Sequence, residues 1–229
     1  MAEIKPPHLG LTLLEGRVIG EAGALLLTMP LLRMHAKKGM GEPVVVLPGF
    51  MADDRSTRML RHFLTQIGYD AKPWGLGINR LPLMQLLPAL RQGVESLVDA
   101  SGQKARLVGW SRGGILAREL ARDYPELIER VITIGSPVKG GVGASAIGRW
   151  VQQETGMTRE QMAAFAETRN HKPINVPVRA IYSRSDGVVA WKACIDDVTD
   201  DVEHFEVISS HVGLGSNVEV FRLIPGLMR

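Results

Sequence analysis

The sequence predicts an α/β protein with a mostly parallel central sheet and helices on both faces. From residue 43 onward, β-branched apolar runs alternate with helical patterns, as expected where helices connect parallel strands. The run Pro43-Val-Val-Val-Leu47 is continuously apolar, which is typical of a strand buried on both faces. A chain of 229 residues is also long enough for one such domain with a substantial core.

The N-terminal part follows a different pattern. We expect residues 1–42 to form a helical attachment and residues 43–229 to form the α/β domain. The apolar residues with helical spacing in the attachment are Leu14, Val18, Ala22 and Leu25. Basic residues follow this stretch, and two interpretations stay open. The helix packs on the main domain, or residues 9–38 contact a membrane surface; the oligomeric state stays open as well.

The individual elements follow from the alternation. We expect strands at 43–47, 69–74, 105–110, 130–135, 176–182 and 203–208, and helices at 59–67, 83–100, 115–121 and 218–227. Asp53 or Asp54 is expected to cap the first of these helices. The segment 138–175 interrupts the alternation. We expect it to form a short helical lid insertion, with a capping box from Thr158 to Gln161 opening one of its helices.

The composition excludes several classes of function. Apolar residues make up 45% and charged residues 22%, which excludes a disordered chain. The net charge of +3 is too small to indicate nucleic acid as a partner. The single cysteine, Cys194, and the lack of a recognisable signal peptide or long apolar span predict a cytoplasmic protein. We expect no metal and no cofactor, because metal-ligand motifs are missing.

The candidate nucleophile follows the third predicted strand. Gly109-Trp-Ser-Arg-Gly113 lies between a strand and a helix, which is the context that a G-x-S-x-G nucleophile turn requires. Side chains at the two glycine positions would clash in so sharp a turn. Ser111 is therefore expected to present its hydroxyl above the sheet, whereas an ordinary structural turn is the alternative.

A serine nucleophile needs a base, and the base needs an orienting carboxylate. With this kind of turn, the expected chain order is serine, acid, histidine. Asp186 and His211 each follow a predicted strand in that order, at the sheet edge where ligands bind. His171 is an alternative base. The alternative acids fit a solvated surface better; they are Asp196, Asp197, Asp200 and Asp201.

The negative oxygen of an acyl-transfer intermediate needs two backbone N–H donors. One is expected from Arg112, directly after the candidate nucleophile. The other is expected from Phe50, in the loop after the first strand, where Gly49 allows the backbone to approach closely. An ordinary Pro-Gly turn is the alternative for this loop.

Together these segments resemble the α/β-hydrolase superfamily, and more closely its bacterial lipase and esterase branch. The resemblance spans about residues 43–229 and rests on Leu47-Pro-Gly-Phe50, Gly109-Trp-Ser-Arg-Gly113, Ile134-Gly-Ser-Pro137, Asp186 and His211. It implies an acyl-enzyme mechanism and a lid over the site. Many relatives carry His-Gly where this chain has Pro48-Gly49, a change that keeps the backbone donor.

Apolar residues near the predicted site are candidates for an acyl pocket. We expect substrate contacts from Met51, Trp74, Leu76, Trp110 and Trp150; in the insertion, Ile147, Val151, Met157, Met162 and Phe165 are further candidates. A small core within the lid is the alternative for the insertion residues.

The leading functional prediction is a serine hydrolase that cleaves a small-molecule acyl ester. Acyltransferase, thioesterase or lactonase activity with the same three residues is the first alternative. A non-catalytic, membrane-associated binding module that keeps the fold is an alternative of another class. The sequence does not distinguish the acyl chain length.

Overall fold

The computed structural model describes residues 4–229, apart from the side chains at positions 141, 142, 159, 163, 165, 166 and 170. Its strands are β1 Pro43–Leu47, β2 Asp70–Pro73, β3 Ala105–Trp110, β4 Ile128–Ile134, β5 Val178–Tyr182 and β6 Val202–Glu206. Its α-helices are α1 Leu9–Leu13, α2 Val18–His35, α3 Arg58–Gln66, α4 Leu83–Ser101, α5 Arg112–Asp123, α6 Gly148–Thr155, α7 Arg159–Asn170 and α8 Val218–Leu227. Short 3₁₀ helices include Leu14–Arg17, which joins α1 to α2.

The six strands form one sheet in the order β2-β1-β3-β4-β5-β6. Every neighbouring pair is parallel, so all carboxyl ends meet at the same edge. The loops after β3, β5 and β6 therefore approach one another at that edge, although they lie far apart in the chain.

Alternate residues of the strands supply two separate hydrophobic cores. In β1, Val44 and Val46 pack with residues of α2, α3 and α8, whereas Val45 and Leu47 pack with residues of α4 and α5. This period of two is the geometry of a pleated strand covered on both faces. The predicted fold class, a parallel sheet between two helix layers, is confirmed.

The predicted cap of α3 is wrong. Thr57 precedes the helix and makes no side-chain cap. Asp54 instead accepts hydrogen bonds from the amides of Trp74, 3.0 Å, and Gly75, 3.3 Å. Its carboxylate fixes the loop after β2, because that loop offers amide donors that no strand partner uses.

The N-terminal segment packs against the α/β domain. Leu25 and Met29 of α2 are buried in the core shared with α3 and α8. The opposite side of α2 is exposed, including Ile19, Leu26 and Leu27. Within residues 4–229, no helix combines the length and apolar character needed to cross a membrane.

The insertion contains α6 and α7. The predicted capping box is present: the Gln161 amide donates to Thr158 Oγ1 and the Thr158 amide donates to Gln161 Oε1. A bridge between Ser145 and Val189 connects the insertion to the loop after β5. The insertion thus lies beside the loop after β5, and its function as a lid remains a prediction.

Candidate active site

Ser111 lies at a sharp turn between β3 and α5. Its backbone has a φ of 53° and a ψ of −121°, a strained combination for a non-glycine residue. The Ser111 amide donates to the carbonyl of Ile134 on the neighbouring strand, 2.7 Å. The turn therefore holds the serine at the carboxyl edge of the sheet and at the beginning of α5.

Two glycines leave the space that this turn needs. A Cβ at Gly109 would lie 2.3 Å from the Gly114 Cα, and a Cβ at Gly113 would lie 2.4 Å from the Leu47 carbonyl oxygen. In both cases the obstacle is backbone, which cannot move without displacing a strand or a helix. The steric argument drawn from the G-x-S-x-G pattern thus has a direct geometric basis.

The structure brings Ser111, His211 and Asp186 into one hydrogen-bonded chain. His211 Nε2 lies 3.0 Å from Ser111 Oγ, and His211 Nδ1 lies 2.6 Å from Asp186 Oδ2. Asp186 and His211 are nearly fully buried. This is the relative placement of nucleophile, base and orienting carboxylate that acyl transfer requires.

The surroundings of His211 favour its protonated form. Burial acts to lower its pKa, but the charge and hydrogen bond of Asp186, together with the charge of Glu15, raise it above 6.5 overall. The other oxygen of Asp186 accepts from the amides of Val188, 2.8 Å, and Val189, 2.7 Å. These amides fix the carboxylate in the orientation that the imidazole needs.

The loop after β1 passes directly beside Ser111. A Cβ on Gly49 would lie 3.5 Å from the Ser111 Cβ, so only van der Waals distance separates the loop from the nucleophile turn. Arg112 is the first residue of α5, and the first amides of a helix have no partner within the helix. The amide of Arg112, and that of Phe50 directly after Gly49, therefore remain the candidate donors at this site.

The side chain of Arg112 has a second role that the sequence did not reveal. Its guanidinium donates to the Asn79 side-chain oxygen, 2.8 Å, and the Asn79 carbonyl, 3.1 Å. Burial lowers its pKa to about 10. Asn79, itself fully buried, donates from Nδ2 to the Pro48 carbonyl, 2.8 Å, and accepts from the Met51 amide, 3.0 Å. Asn79 and Arg112 thus hold the loop that carries Phe50.

A cavity of about 190 Å³ opens beside Ser111. Its apolar lining comes from the loop after β1, the beginning of α4, α5 and the insertion: Phe50, Leu83, Met84, Ile115, Ile147, Val151, Met157 and Met162. The cavity continues along α5 to Arg118 and Glu119. Four insertion residues considered from sequence thus line it; the fifth, Phe165, has a side chain outside the described part of the chain.

The five expected substrate contacts do not line this cavity. Trp74 is buried in the core beneath α4, with its Nε1 donating to the Gly77 carbonyl, 3.0 Å. Leu76 packs against the same core. Met51 adopts a φ of 57°, and its amide is held by Asn79. These three residues lie outside the cavity lining, and their contact with a substrate stays a prediction.

The two other tryptophans lie next to the site. Trp110 donates from Nε1 to the His211 carbonyl, 3.3 Å, and so supports the histidine loop. Trp150 packs edge-on against Phe50 with 5.3 Å between ring centroids, and 43% of it is exposed. Both tryptophans lie outside the cavity lining, and their contact with a substrate stays a prediction.

The fold is shared with solved structures of low sequence identity. A mature lipase from Bacillus licheniformis superposes with a TM-score of 0.62 at 15% identity, covering 85% of this chain and 93% of the lipase. A metagenome-derived lipolytic enzyme superposes with a TM-score of 0.63 at 15% identity, covering 84% of this chain and 94% of that enzyme. α/β-Hydrolase domain-containing protein 10 from mouse superposes with a TM-score of 0.58 at 19% identity, covering 83% of this chain and 89% of the mouse protein. The chain has the α/β-hydrolase fold. No family model matches its sequence.

Within the α/β-hydrolase fold, two more residues reach the site from the N-terminal segment. Glu15 accepts a hydrogen bond from the His211 amide, 2.9 Å, and Glu21 accepts one from the Ser210 amide, 2.9 Å. Sequence analysis missed both. Their only signal is a pair of acidic residues on an otherwise apolar helical stretch, and such residues usually indicate a solvated face.

Proposed function

We propose that this protein is a serine hydrolase that cleaves carboxylic esters through an acyl-enzyme intermediate. The observation that carries the proposal is the hydrogen-bonded chain from Ser111 Oγ through His211 to Asp186, built on a strained nucleophile turn. Lipases and other lipolytic enzymes among proteins of the same fold support the reaction class. The substrate would be a small-molecule ester with an apolar acyl group.

In the first half of the reaction, His211 Nε2 takes the proton of the Ser111 hydroxyl. The serine oxygen then bonds to the ester carbonyl carbon, and the carbonyl electrons move onto its oxygen. Asp186 stabilises the imidazolium that forms and keeps Nδ1 protonated. When the tetrahedral intermediate collapses, His211 returns its proton to the departing alcohol oxygen.

The negative oxygen of the tetrahedral intermediate needs donors that are already oriented. The Phe50 and Arg112 amides would supply them, each contributing roughly 3–4 kcal/mol as single donors do in comparable sites. Asn79 holds the loop of the first donor and the helix of the second together through Arg112. This bracing supports both assignments.

The second half repeats the same proton transfers with water. His211 removes a proton from water, the hydroxide oxygen attacks the acyl carbon, and Ser111 leaves with the proton that His211 returns. An alcohol, amine or thiol in place of water gives acyl transfer. Thioester and lactone substrates would use the same groups, so product analysis distinguishes these alternatives.

The cavity supports an acyl group of modest size. Its lining near Ser111 is apolar, with two methionines from the insertion, Met157 and Met162, and methionine adapts to irregular ligand shapes. Burying an acyl chain there would contribute about 0.8 kcal/mol for each methylene group. We expect kcat/KM to rise with chain length until the cavity is full.

The test is hydrolysis of p-nitrophenyl esters of increasing acyl length by the wild type and by Ser111→Ala. We expect turnover by the wild type and a loss on the order of 10⁶-fold in kcat for Ser111→Ala, as for removal of a serine nucleophile elsewhere. Circular dichroism would confirm that the variant is folded. A folded wild type without turnover of any ester, or equal rates for both proteins, would contradict the proposal.

A further inference from the structure

The N-terminal segment contacts the two loops that carry Asp186 and His211. Glu15, in the 3₁₀ helix between α1 and α2, is half-buried. Its Oε1 accepts from the amides of Gly187, 2.8 Å, and His211, 2.9 Å. Its Oε2 accepts from the amide of Val212, 3.0 Å. One carboxylate therefore connects the residue after the candidate acid to the candidate base itself.

Other contacts hold the N-terminal segment, and with it Glu15, against the loop after β5. Thr12 Oγ1 donates to the Gly187 carbonyl, 2.7 Å, and Arg17 donates to the Ser185 carbonyl, 2.7 Å. A Cβ on Gly187 would lie 2.3 Å from the Leu11 carbonyl oxygen. The loop after β5 is thus shaped to accept the segment at contact distance.

A second carboxylate binds the beginning of the histidine loop. Glu21 accepts from the Ser210 amide, 2.9 Å, and the Ser210 hydroxyl, 2.7 Å, and pairs with Arg17, 3.3 Å. It makes no hydrogen bond to His211 or Asp186 among those of the described residues. Glu21 therefore anchors the loop, whereas Glu15 contacts His211 itself and the residue after Asp186.

We propose that Glu15 is a positioning residue for the reaction, which holds His211 and Asp186 in register by binding the His211, Gly187 and Val212 amides with one carboxylate. The inference rests on the proposed function, since it assigns Glu15 a role in that same site. Charge-assisted hydrogen bonds of this kind are roughly twice as strong as neutral ones. Loss of such support misplaces the imidazole, and a misplacement of about 1 Å costs on the order of 100-fold in rate.

Glu15 also acts on His211 through its charge. The pKa of the His211 imidazole is raised by Asp186, through its charge and its hydrogen bond, and by the charge of Glu15. Glu21 and Arg17 lie on the same N-terminal segment as an ion pair. Because both carboxylates near the ring favour the imidazolium, Glu15 assists the proton transfer that creates it. Removal of the Glu15 charge must lower the pKa of His211.

The experiment compares Glu15→Gln and Glu15→Ala with two matched variants, Glu21→Gln and Glu126→Gln. Glu126 is exposed in the loop before β4, at the opposite edge of the sheet. For each protein we would measure kcat and KM against pH, and titrate His211 by NMR. Amide hydrogen exchange at Gly187, His211 and Val212 would report the backbone contacts.

We expect Glu15→Ala to lower kcat about 10- to 100-fold with little change in KM, and to accelerate exchange at the three amides. Glu15→Gln keeps part of the shape and should restore much of kcat. In both variants the acid limb of the pH profile and the His211 titration should shift to lower pH. Glu21→Gln should reduce stability without that shift, and Glu126→Gln should behave as wild type.

The proposal is overturned if Glu15→Ala matches wild type in kcat, in the His211 titration and in amide exchange. It is also overturned if all effects of Glu15→Gln are reproduced by Glu21→Gln, since the role would then be general support of the loop. The NMR titration needs no turnover. An inactive wild type would therefore refute the proposed function, while the titration and exchange would still test the contact of Glu15 with His211.

Discussion

The two sides of the candidate site are held by different means. Ser111 is fixed locally, by a strand and a helix that meet at one residue and by glycines that let their backbones touch. His211 and Asp186 lie in loops that are joined by Glu15, which is separated from its partners by 172 to 197 positions in the chain. The position of Ser111 thus depends on local chain geometry, whereas the positions of His211 and Asp186 depend on a distant segment.

This difference predicts different responses to substitution. Damage to the nucleophile turn must disturb a strand and a helix of the core, and so must reduce the free energy of unfolding. Damage to the N-terminal contacts must instead change the relative position and protonation of two side chains.

Gly113→Ala should abolish activity and destabilise the fold by about 3 kcal/mol, the upper end for overpacking a core. The new Cβ would lie 2.4 Å from the Leu47 carbonyl oxygen. Gly93→Ala is the control, since Gly93 lies in α4 with open space around its Cβ position. This substitution should raise the free energy of unfolding by roughly 0.5–1 kcal/mol. Urea unfolding would measure the free energy of unfolding of both variants, and equal values would show that the turn is not tightly packed.

Asn79→Ala should have an intermediate effect. The substitution leaves the Arg112 guanidinium buried with fewer acceptors and frees the Pro48 carbonyl, at a cost of about 1–3 kcal/mol. We also expect a lower kcat, because the loop that carries Phe50 loses its brace. Gln92→Ala, on an exposed position of α4, should stay within about 0.5 kcal/mol of wild type. An unchanged kcat in a folded Asn79→Ala protein would argue against the bracing role.

Most of the fold and the three candidate catalytic residues follow from the sequence. Buried parallel strands read as continuous apolar runs, and the order Ser111, Asp186, His211 places each residue after one of them. The cavity lining was harder to predict, because the direction of Trp74 depends on a loop that Asp54 fixes from 20 residues away. The contact of Glu15 with this site could not be predicted, since its partners are backbone amides of loops that are remote in the chain.

The pH dependence of the proposed reaction reports the protonation state of His211. Its pKa is raised above 6.5, and the proposed base must be neutral to accept the serine proton. We therefore expect kcat/KM to fall as the pH decreases through a midpoint above 6.5. An ester whose own charge does not change between pH 5 and 9 is the appropriate substrate. A midpoint below 6.5 would show that burial outweighs the two carboxylates.

The same shift has the opposite effect on stability. The folded state binds the His211 proton more tightly than the unfolded state does. The stability that this proton contributes is therefore fully present below the unfolded pKa of about 6.5 and is lost as the pH rises through the pKa of His211 in the folded state. The comparison of wild type with His211→Gln by urea unfolding at several pH values isolates it. If the stability of wild type relative to His211→Gln increases with pH, the predicted direction is wrong.

The outer face of α2 is exposed and apolar, and we expect substitutions there to leave turnover unchanged. Leu26 is 62% and Leu27 84% exposed, and Arg33, Lys37 and Lys38 follow, a pattern suited to anionic lipid. Membrane contact through residues 9–38 stays a prediction. Leu26→Glu/Leu27→Glu should pellet less with phosphatidylserine vesicles than wild type, while turnover of a soluble ester should not change. Equal pelleting of the variant and the wild type would contradict membrane contact through this face.

In the proposed function, Ser111 is a nucleophile activated by His211 and Asp186. A fluorophosphonate probe tests this role, because it forms a covalent bond only with an activated serine, and peptide mapping identifies the residue. We predict that wild type is modified at Ser111 and that folded Ser111→Ala and His211→Ala are not. An unmodified wild type in which detergent has opened access to the site, or a modification at another serine, would contradict the claim.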